Sequence, residues 1–174
     1  MKKALIVVDY QNDFVNGSLG FDKAILLEEA ICCKIKEYQS QQQTVLFTMD
    51  THKPNYLDTQ EGKKLPIAHC IENTYGWELY GKVKNLLAHD AVCFCKNTFG
   101  SLSLAEYLKE QQFDSVELCG LVSNICVLSN AVLAKAALPE AEIIVDANCT
   151  ASNDETLNQK ALDVLTGLQV TIKQ

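Results

Sequence analysis

Short apolar runs rich in β-branched residues alternate with helical patterns from one end of the chain to the other. The strand-like runs are residues 4–9, 44–49, 91–96, 115–119, 141–145 and 170–173. The helical patterns are residues 23–40, 77–87, 102–111, 124–137 and 154–165. Strands that are apolar on both faces and separated by helices predict an α/β fold. We expect a three-layer α/β/α sandwich around a six-stranded, mostly parallel sheet.

The length and charge of the chain limit the number of domains and the classes of partner that are expected. The 174 residues contain no linker or repeat, so we expect a single domain over residues 1–174. The net charge is −7, and the 15 Lys and Arg residues are scattered, which disfavours nucleic acid and anionic membranes as partners. No segment approaches the roughly 20 apolar residues of a membrane span, and residues 4–8 are too short for a signal sequence. A cytoplasmic location is expected.

The 8 cysteines lie mostly inside apolar runs, and no CxxC motif is present. This pattern predicts reduced, buried thiols and gives no indication of a zinc ribbon or a thioredoxin-type redox pair. A buried, inert thiol is therefore the ordinary interpretation of any one of these cysteines.

Side chains that could take part in catalysis lie at the ends of the predicted strands. Asp9, Asp50 and Lys96 close the first three strands, and the turn after the fourth leads through Val122 to Cys126 at a helix start. Ligands of such folds bind beyond the carboxyl ends of the strands, so these groups should meet at one edge. A helix N-terminus favours a thiolate, and the N–H groups of Val122 and Cys126 could hold an oxyanion.

Asp9 and Lys96 each have an ordinary and a chemical interpretation. An Asp after a strand is commonly a turn or cap residue, and a strand-end lysine is commonly exposed. Beside Cys126, however, Asp9 could take the thiol proton, while the Lys96 ammonium could lower the thiol pKa. The three residues together are candidates for a cysteine-based catalytic triad.

The aperiodic segment 50–75 is long for a compact domain and contains two of the three histidines. Asp50, His52, Glu61 and His69 would form a set of two nitrogen and two oxygen ligands, suited to Zn²⁺ or to Fe²⁺ or Mn²⁺. Ordinary loop histidines are the alternative. The third histidine, His89, ends a helical pattern, where its charge is favourable, and we assign it no role.

Five motifs in this order resemble the isochorismatase-like superfamily of cysteine hydrolases, and within it the nicotinamidases and pyrazinamidases. They are Asp9-Tyr10-Gln11-Asn12-Asp13-Phe14, Asp50-Thr51-His52, Leu65-Pro66-Ile67-Ala68-His69-Cys70 with Gly76 and Trp77, Lys96-Asn97-Thr98-Phe99, and Gly120-Leu121-Val122-Ser123-Asn124-Ile125-Cys126-Val127. The resemblance covers nearly the whole chain.

The resemblance implies a triad of Asp9, Lys96 and Cys126 beside a divalent metal site on Asp50, His52 and His69. It also implies a cis peptide at Leu121-Val122 that directs the Val122 amide into an oxyanion hole. The family fold is a six-stranded parallel sheet between helices, and dimers and tetramers occur among relatives, so a homo-oligomer is expected.

Two positions depart from the pattern of the relatives. Asp58 stands where relatives commonly have a further histidine, so the fourth metal ligand is assigned to Glu61, with Asp58 as the alternative. Leu65 stands where many nicotinamidases have Trp. Phe14, Leu65 and Val122 are the expected lining of the substrate pocket.

The expected reaction is hydrolysis of a small-molecule amide, with nicotinamide giving nicotinate and ammonia. A related amidohydrolase acting on a carbamoyl or ureido compound is the first alternative, and a non-catalytic oligomeric interaction protein is another. Isochorismatase activity itself is less favoured, because enzymes with that activity generally lack the nucleophilic cysteine. A nucleotide-binding Rossmann module is disfavoured because residues 9–14 contain no glycine.

Overall fold

The computed structural model describes residues 1–89 and 91–174 of the chain, and its central element is a six-stranded sheet in which every neighbouring pair is parallel. The strand order is β3-β2-β1-β4-β5-β6. The strands are β1 (Lys3–Val8), β2 (Thr44–Asp50), β3 (Val92–Lys96), β4 (Ser115–Leu121), β5 (Glu142–Ala151) and β6 (Thr171–Lys173). The predicted α/β fold with a six-stranded sheet is confirmed.

Helices cover both faces of this sheet. They are α1 (Asn12–Val15), α2 (Asp22–Leu26), α3 (Glu28–Ser40), α4 (Gln60–Lys64), α5 (Gly81–Asn85), α6 (Leu102–Gln111), α7 (Leu128–Ala137) and α8 (Glu155–Gly167). Side-chain caps begin two of the longer ones: Ser101 accepts from the Leu104 N–H of α6, and Asp154 accepts from the Leu157 N–H of α8.

Successive side chains of β1 point to opposite faces of the sheet, and both faces are covered, which explains why the sequence of β1 is apolar without interruption. Ala4, Ile6 and Val8 pack into the hydrophobic cluster that holds residues of α6, α7 and α8. Leu5 and Val7 pack into the opposite cluster, with residues of α3 and α5. All five side chains are fully buried. A central strand covered on both faces needs an apolar residue at every position.

Four predicted segments differ in detail from the structure. The helix predicted at residues 23–40 is two helices, α2 and α3, with Leu27 between them. The helix predicted at 77–87 is reduced to α5, which begins at Gly81 with φ +49°. Strand β5 continues to Ala151, past the predicted end at 145, through a register shift against β4. The segment predicted to be aperiodic contains α4 and a 3₁₀ turn, Tyr56–Asp58.

The cysteines are all free, but they are not all buried. Cys33, Cys93 and Cys95 are exposed, so the prediction of uniformly buried thiols is wrong at these three positions. Cys93 and Cys95 lie on β3, which is an edge strand of the sheet. Among the residues described, no helix combines the length and apolar character needed to cross a bilayer.

Candidate active site

The ends of the parallel strands β1, β3 and β4 bring the three predicted triad residues together. Asp9 follows β1 with φ +45°, Lys96 is the last residue of β3, and Cys126 lies in the turn after β4. The Lys96 Nζ is 2.6 Å from the Asp9 Oδ2 and 3.6 Å from the Cys126 Sγ. Residues separated by up to 117 positions along the chain thus form one contact group, because parallel strands end at the same edge of the sheet.

Asp9 is fully buried and held in place by its neighbours. The Thr48 hydroxyl donates to the Asp9 Oδ1 at 2.7 Å, which leaves Oδ2 facing Lys96. Burial raises the pKa of Asp9, and the Asp50 charge adds to this effect, while the Lys96 charge opposes it. Asp9 is therefore a stronger base than an ordinary aspartate and is not a surface turn residue.

Lys96 is 6% exposed, so it is not a solubilising strand-end lysine. Burial by itself would lower the pKa of Lys96, but the charges of Asp9, Cys126 and Asp50 raise it above its ordinary value. The side chain is therefore a fixed ammonium that two carboxylates hold beside the thiol.

Cys126 lies in a single π-helical turn, Ser123–Val127, that leads into α7. Burial, followed by the Asp9 charge, raises the pKa of the Cys126 thiol well above its ordinary value, and Lys96 opposes this only in part. The helix start favours a thiolate, whereas burial and the adjacent Asp9 carboxylate oppose it. The Leu121-Val122 peptide bond is cis, as the resemblance implied.

A second group, made of the predicted metal ligands, lies beside the first. Asp50, His52, Glu61 and His69 each offer one ligand atom, and these atoms all lie within 4.8 Å of one another. The Asp50 Oδ2 is 3.0 Å from the His52 Nε2 and 3.3 Å from the His69 Nε2. The Glu61 Oε1 is 3.8 and 3.7 Å from the same two nitrogens. Two imidazoles and two carboxylates are a donor set that fits Zn²⁺.

The backbone orients this donor set. The His69 Nδ1–H donates to the Ile67 carbonyl at 2.8 Å, so Nε2 is the nitrogen left to bind a cation. Burial and the Asp50 charge raise the pKa of Glu61. A bound cation would relieve the repulsion between the Glu61 and Asp50 carboxylates. The alternative ligand Asp58 is exposed in its 3₁₀ turn and lies outside the group.

A cavity of about 210 Å³ opens beside both groups, and Cys126, Asp50, Glu61 and His69 are among the residues that line it. All three predicted pocket residues, Phe14, Leu65 and Val122, line it. The remaining lining residues, which sequence reasoning missed, are Leu19, Phe21, Phe99, Ile125 and Asn153. Phe99 and Ile125 lie inside two of the sequence motifs described above and could have been predicted from them. No sequence motif pointed to Leu19 or Phe21.

The chain matches a known family over nearly its whole length. Residues 3–173 match the isochorismatase domain. A relative from Bacillus subtilis (strain 168), described as an uncharacterized isochorismatase family protein PncA, is 35% identical over 143 residues, covering 76% of this chain and 78% of the relative.

Solved structures agree with this match. A nicotinamidase/pyrazinamidase PncA from Bacillus subtilis superposes with a TM-score of 0.90 at 29% identity, over 100% of both chains. The pyrazinamidase of Pyrococcus horikoshii, solved in complex with zinc, gives a TM-score of 0.87 at 24% identity, over 100% of this chain and 99% of that one. The chain belongs to the isochorismatase family of hydrolases.

Proposed function

We propose that the chain hydrolyses the carboxamide of a small aromatic amide, with nicotinamide giving nicotinate and ammonia. The observation that carries this proposal is the cavity bordered by Cys126 and by the metal-ligand group together. Its volume of about 210 Å³ and its mostly aromatic and aliphatic lining suit a single ring. The likeness to nicotinamidase and pyrazinamidase structures supports the same substrate class.

Cys126 acts as the nucleophile and Asp9 as its base. Asp9 takes the Sγ proton, and the resulting thiolate attacks the amide carbon, so that the carbonyl oxygen becomes negative. The N–H groups of Val122 and Cys126 are proposed to stabilise that oxygen. The fixed charge of Lys96, 3.6 Å from Sγ, favours the thiolate as it forms.

The same carboxylate completes both half-reactions. When the C–N bond breaks, Asp9 returns its proton to the nitrogen, ammonia leaves, and a thioester remains on Cys126. A water molecule then loses a proton to Asp9 and attacks the thioester carbon. The C–S bond breaks, Sγ recovers the proton, and the carboxylic acid is released.

The proposed metal ligands are Asp50, His52, Glu61 and His69, with Zn²⁺ as the first candidate and Fe²⁺ or Mn²⁺ as alternatives. When bound, such an ion supplies a Lewis acid at the border of the cavity. Asp50 joins the two groups, because its Oδ2 faces the two histidines while its Oδ1 lies 3.4 Å from the Lys96 Nζ.

The substrate proposal is tested by measuring ammonia release from nicotinamide, pyrazinamide and a set of carbamoyl and ureido compounds. We expect the aromatic carboxamides to have the highest kcat/KM, and Cys126→Ser to abolish all release. A preference for ureido compounds would replace the substrate class but keep the triad. An unchanged rate in Cys126→Ser would overturn the mechanism, and no release from any compound would favour the interaction-protein alternative.

We also propose that residues 1–174 form one domain, that the protein works in the cytoplasm, and that it assembles into a homo-oligomer. The eight free cysteines support a reducing compartment. Exposed apolar side chains at the border of the cavity, Phe99 and Ile125 with nearby Leu102, offer a surface that an identical subunit could cover.

A further inference from the structure

One carboxylate ties the metal-ligand loop to the beginning of the chain. The Asp13 Oδ2 accepts the Cys70 N–H at 2.7 Å, and Cys70 follows the ligand candidate His69 directly. The other oxygen, Oδ1, accepts the Ser18 N–H at 3.3 Å. Asp13 belongs to the first motif of the sequence, yet the proposed chemistry gives it no part.

Cys70 has a backbone that needs such support. Its φ is +45°, in the left-handed region that a residue other than glycine adopts at a cost. Its side chain is fully buried, so the loop cannot relax toward solvent without exposing it. A hydrogen bond to a charged acceptor at this position stabilises the conformation that turns His69 toward Asp50.

Two glycines leave room for the carboxylate. A Cβ atom on Gly76 would lie 2.1 Å from the Asp13 Oδ2, and one on Gly17 would lie 2.4 Å from Oδ1. Both distances are far shorter than any normal contact. The chain thus packs two residues without side chains against the Asp13 carboxylate, and a side chain at either position would displace it.

We infer that Asp13 is a positioning residue of the metal site: through the Cys70 N–H it holds His69 in the geometry that binds the cation. The inference rests on the proposed metal site and concerns the support of a ligand, not a ligand. Groups that orient metal ligands typically change affinity by about 10- to 100-fold when they are removed.

The test is the Zn²⁺ affinity of the purified protein, measured by competition with a fluorescent chelator. Asp13→Ala removes both acceptor oxygens, so the Cys70 N–H and the Ser18 N–H both lose their partner. We expect Zn²⁺ to bind about 10- to 100-fold more weakly. Gly76→Ala should act in the same direction, since its methyl group displaces the carboxylate.

The double variant makes the test specific. If Gly76→Ala acts through Asp13, the double variant should bind Zn²⁺ no more weakly than the weaker-binding single variant. Asp22→Asn, at an exposed aspartate, and Gly167→Ala, at a glycine with no atom within 4 Å of its added methyl, should bind like the wild type. A purely structural Asp13 would lower the melting temperature of the metal-free protein and leave the affinity unchanged.

The outcomes separate this inference from the proposed function. If the wild type binds Zn²⁺ tightly and Asp13→Ala binds it equally tightly, the inference is overturned and the proposed function is not. A wild type that does not bind Zn²⁺ overturns the proposed metal site and this inference with it. Fully additive losses in the double variant would mean that Gly76 acts independently of Asp13, which contradicts the part of the argument in which Gly76 leaves room for the Asp13 carboxylate.

Discussion

The Nζ of Lys96 lies 2.6 Å from the Oδ2 of Asp9, and both side chains are buried. Removing one charge of such a pair leaves the other buried without compensation. The pair therefore serves stability as well as the proposed chemistry, and the two contributions can be separated by measuring both.

Lys96→Met should lower kcat at least about 100-fold, because it removes the fixed charge beside the thiol. It should also destabilise the fold by about 3 to 5 kcal/mol, and adding Asp9→Asn should restore part of that loss. Nicotinamide turnover and urea unfolding at neutral pH check both effects. Lys63→Met, at an exposed lysine, is the control. A Lys96→Met enzyme with half of the wild-type kcat would contradict the assigned role.

The raised pKa of Cys126 predicts an unusual pH profile for its alkylation. Because burial and Asp9 favour the neutral thiol, the thiolate fraction should still be rising well above the ordinary cysteine pKa of about 8.5. The rate of iodoacetamide labelling of Cys126, followed by peptide mass spectrometry, should increase through that pH without levelling off. Cys126→Ser gives the background from the other cysteines. A plateau reached below pH 7 would show that the resting group is a thiolate.

Glu61 and Asp58 provide a matched pair for identifying the fourth metal ligand. Glu61 lies in the donor group and Asp58 is exposed outside it. Glu61→Gln should weaken Zn²⁺ binding at least about tenfold, while Asp58→Asn should leave it unchanged. Chelator competition measures both. The reverse order of effects would assign the site to Asp58.

The candidate catalytic residues could be predicted from the sequence more completely than the conformation of the loops. Asp9, Lys96 and Cys126 could be assigned because strand patterns are local and the edge at which parallel strands end follows from the fold. The α6 helix matched residues 102–111 because an amphipathic pattern follows a Ser101 cap. Such signals depend only on neighbours in the sequence.

The remaining features depend on distant partners. The ordered path of the metal loop depends on the Gln11 amide, which bonds to both the N–H and the carbonyl of Asp50, and on the Asp13 carboxylate, which bonds to Cys70. Likewise, the pKa of the Cys126 thiol is raised by burial and by a carboxylate 117 residues away. No local pattern carries that information, so the loop was predicted as aperiodic and the thiol pKa was expected to be lowered.

A buried ionic cluster beneath α3 should support the fold far from the candidate active site. The Lys34 Nζ lies 2.6 Å from Glu117 and 2.7 Å from Asp146, and Tyr38 donates to Glu117 at 2.7 Å. Lys34→Met leaves Asp146 without its cation and Glu117 with only the exposed Lys173, 3.8 Å away, and should cost about 3 to 5 kcal/mol in urea unfolding. Lys36→Met, at an exposed lysine of the same helix, is the control. Equal stability of the two variants would contradict this role.

The pH dependence of that difference follows from the direction of the shift. Burial would lower the pKa of Lys34, but the hydrogen bonds and charges of Asp146 and Glu117 raise it above its ordinary value. A raised pKa gives stability that is complete below the unfolded value of about 10.4 and is lost as the pH rises through the folded value. The gap between wild type and Lys34→Met should therefore stay constant from neutral pH to about 10 and shrink above it.

The covalent intermediate on Cys126 is the central claim, and intact-protein mass spectrometry of the acid-quenched reaction with nicotinamide tests it most directly. We expect a species heavier by one nicotinoyl group, which peptide analysis should locate at Cys126. It should be absent from Cys126→Ser and present in Cys119→Ala, a variant at another buried cysteine. Turnover of nicotinamide without any acylated species, or with the acyl group on another residue, would contradict it.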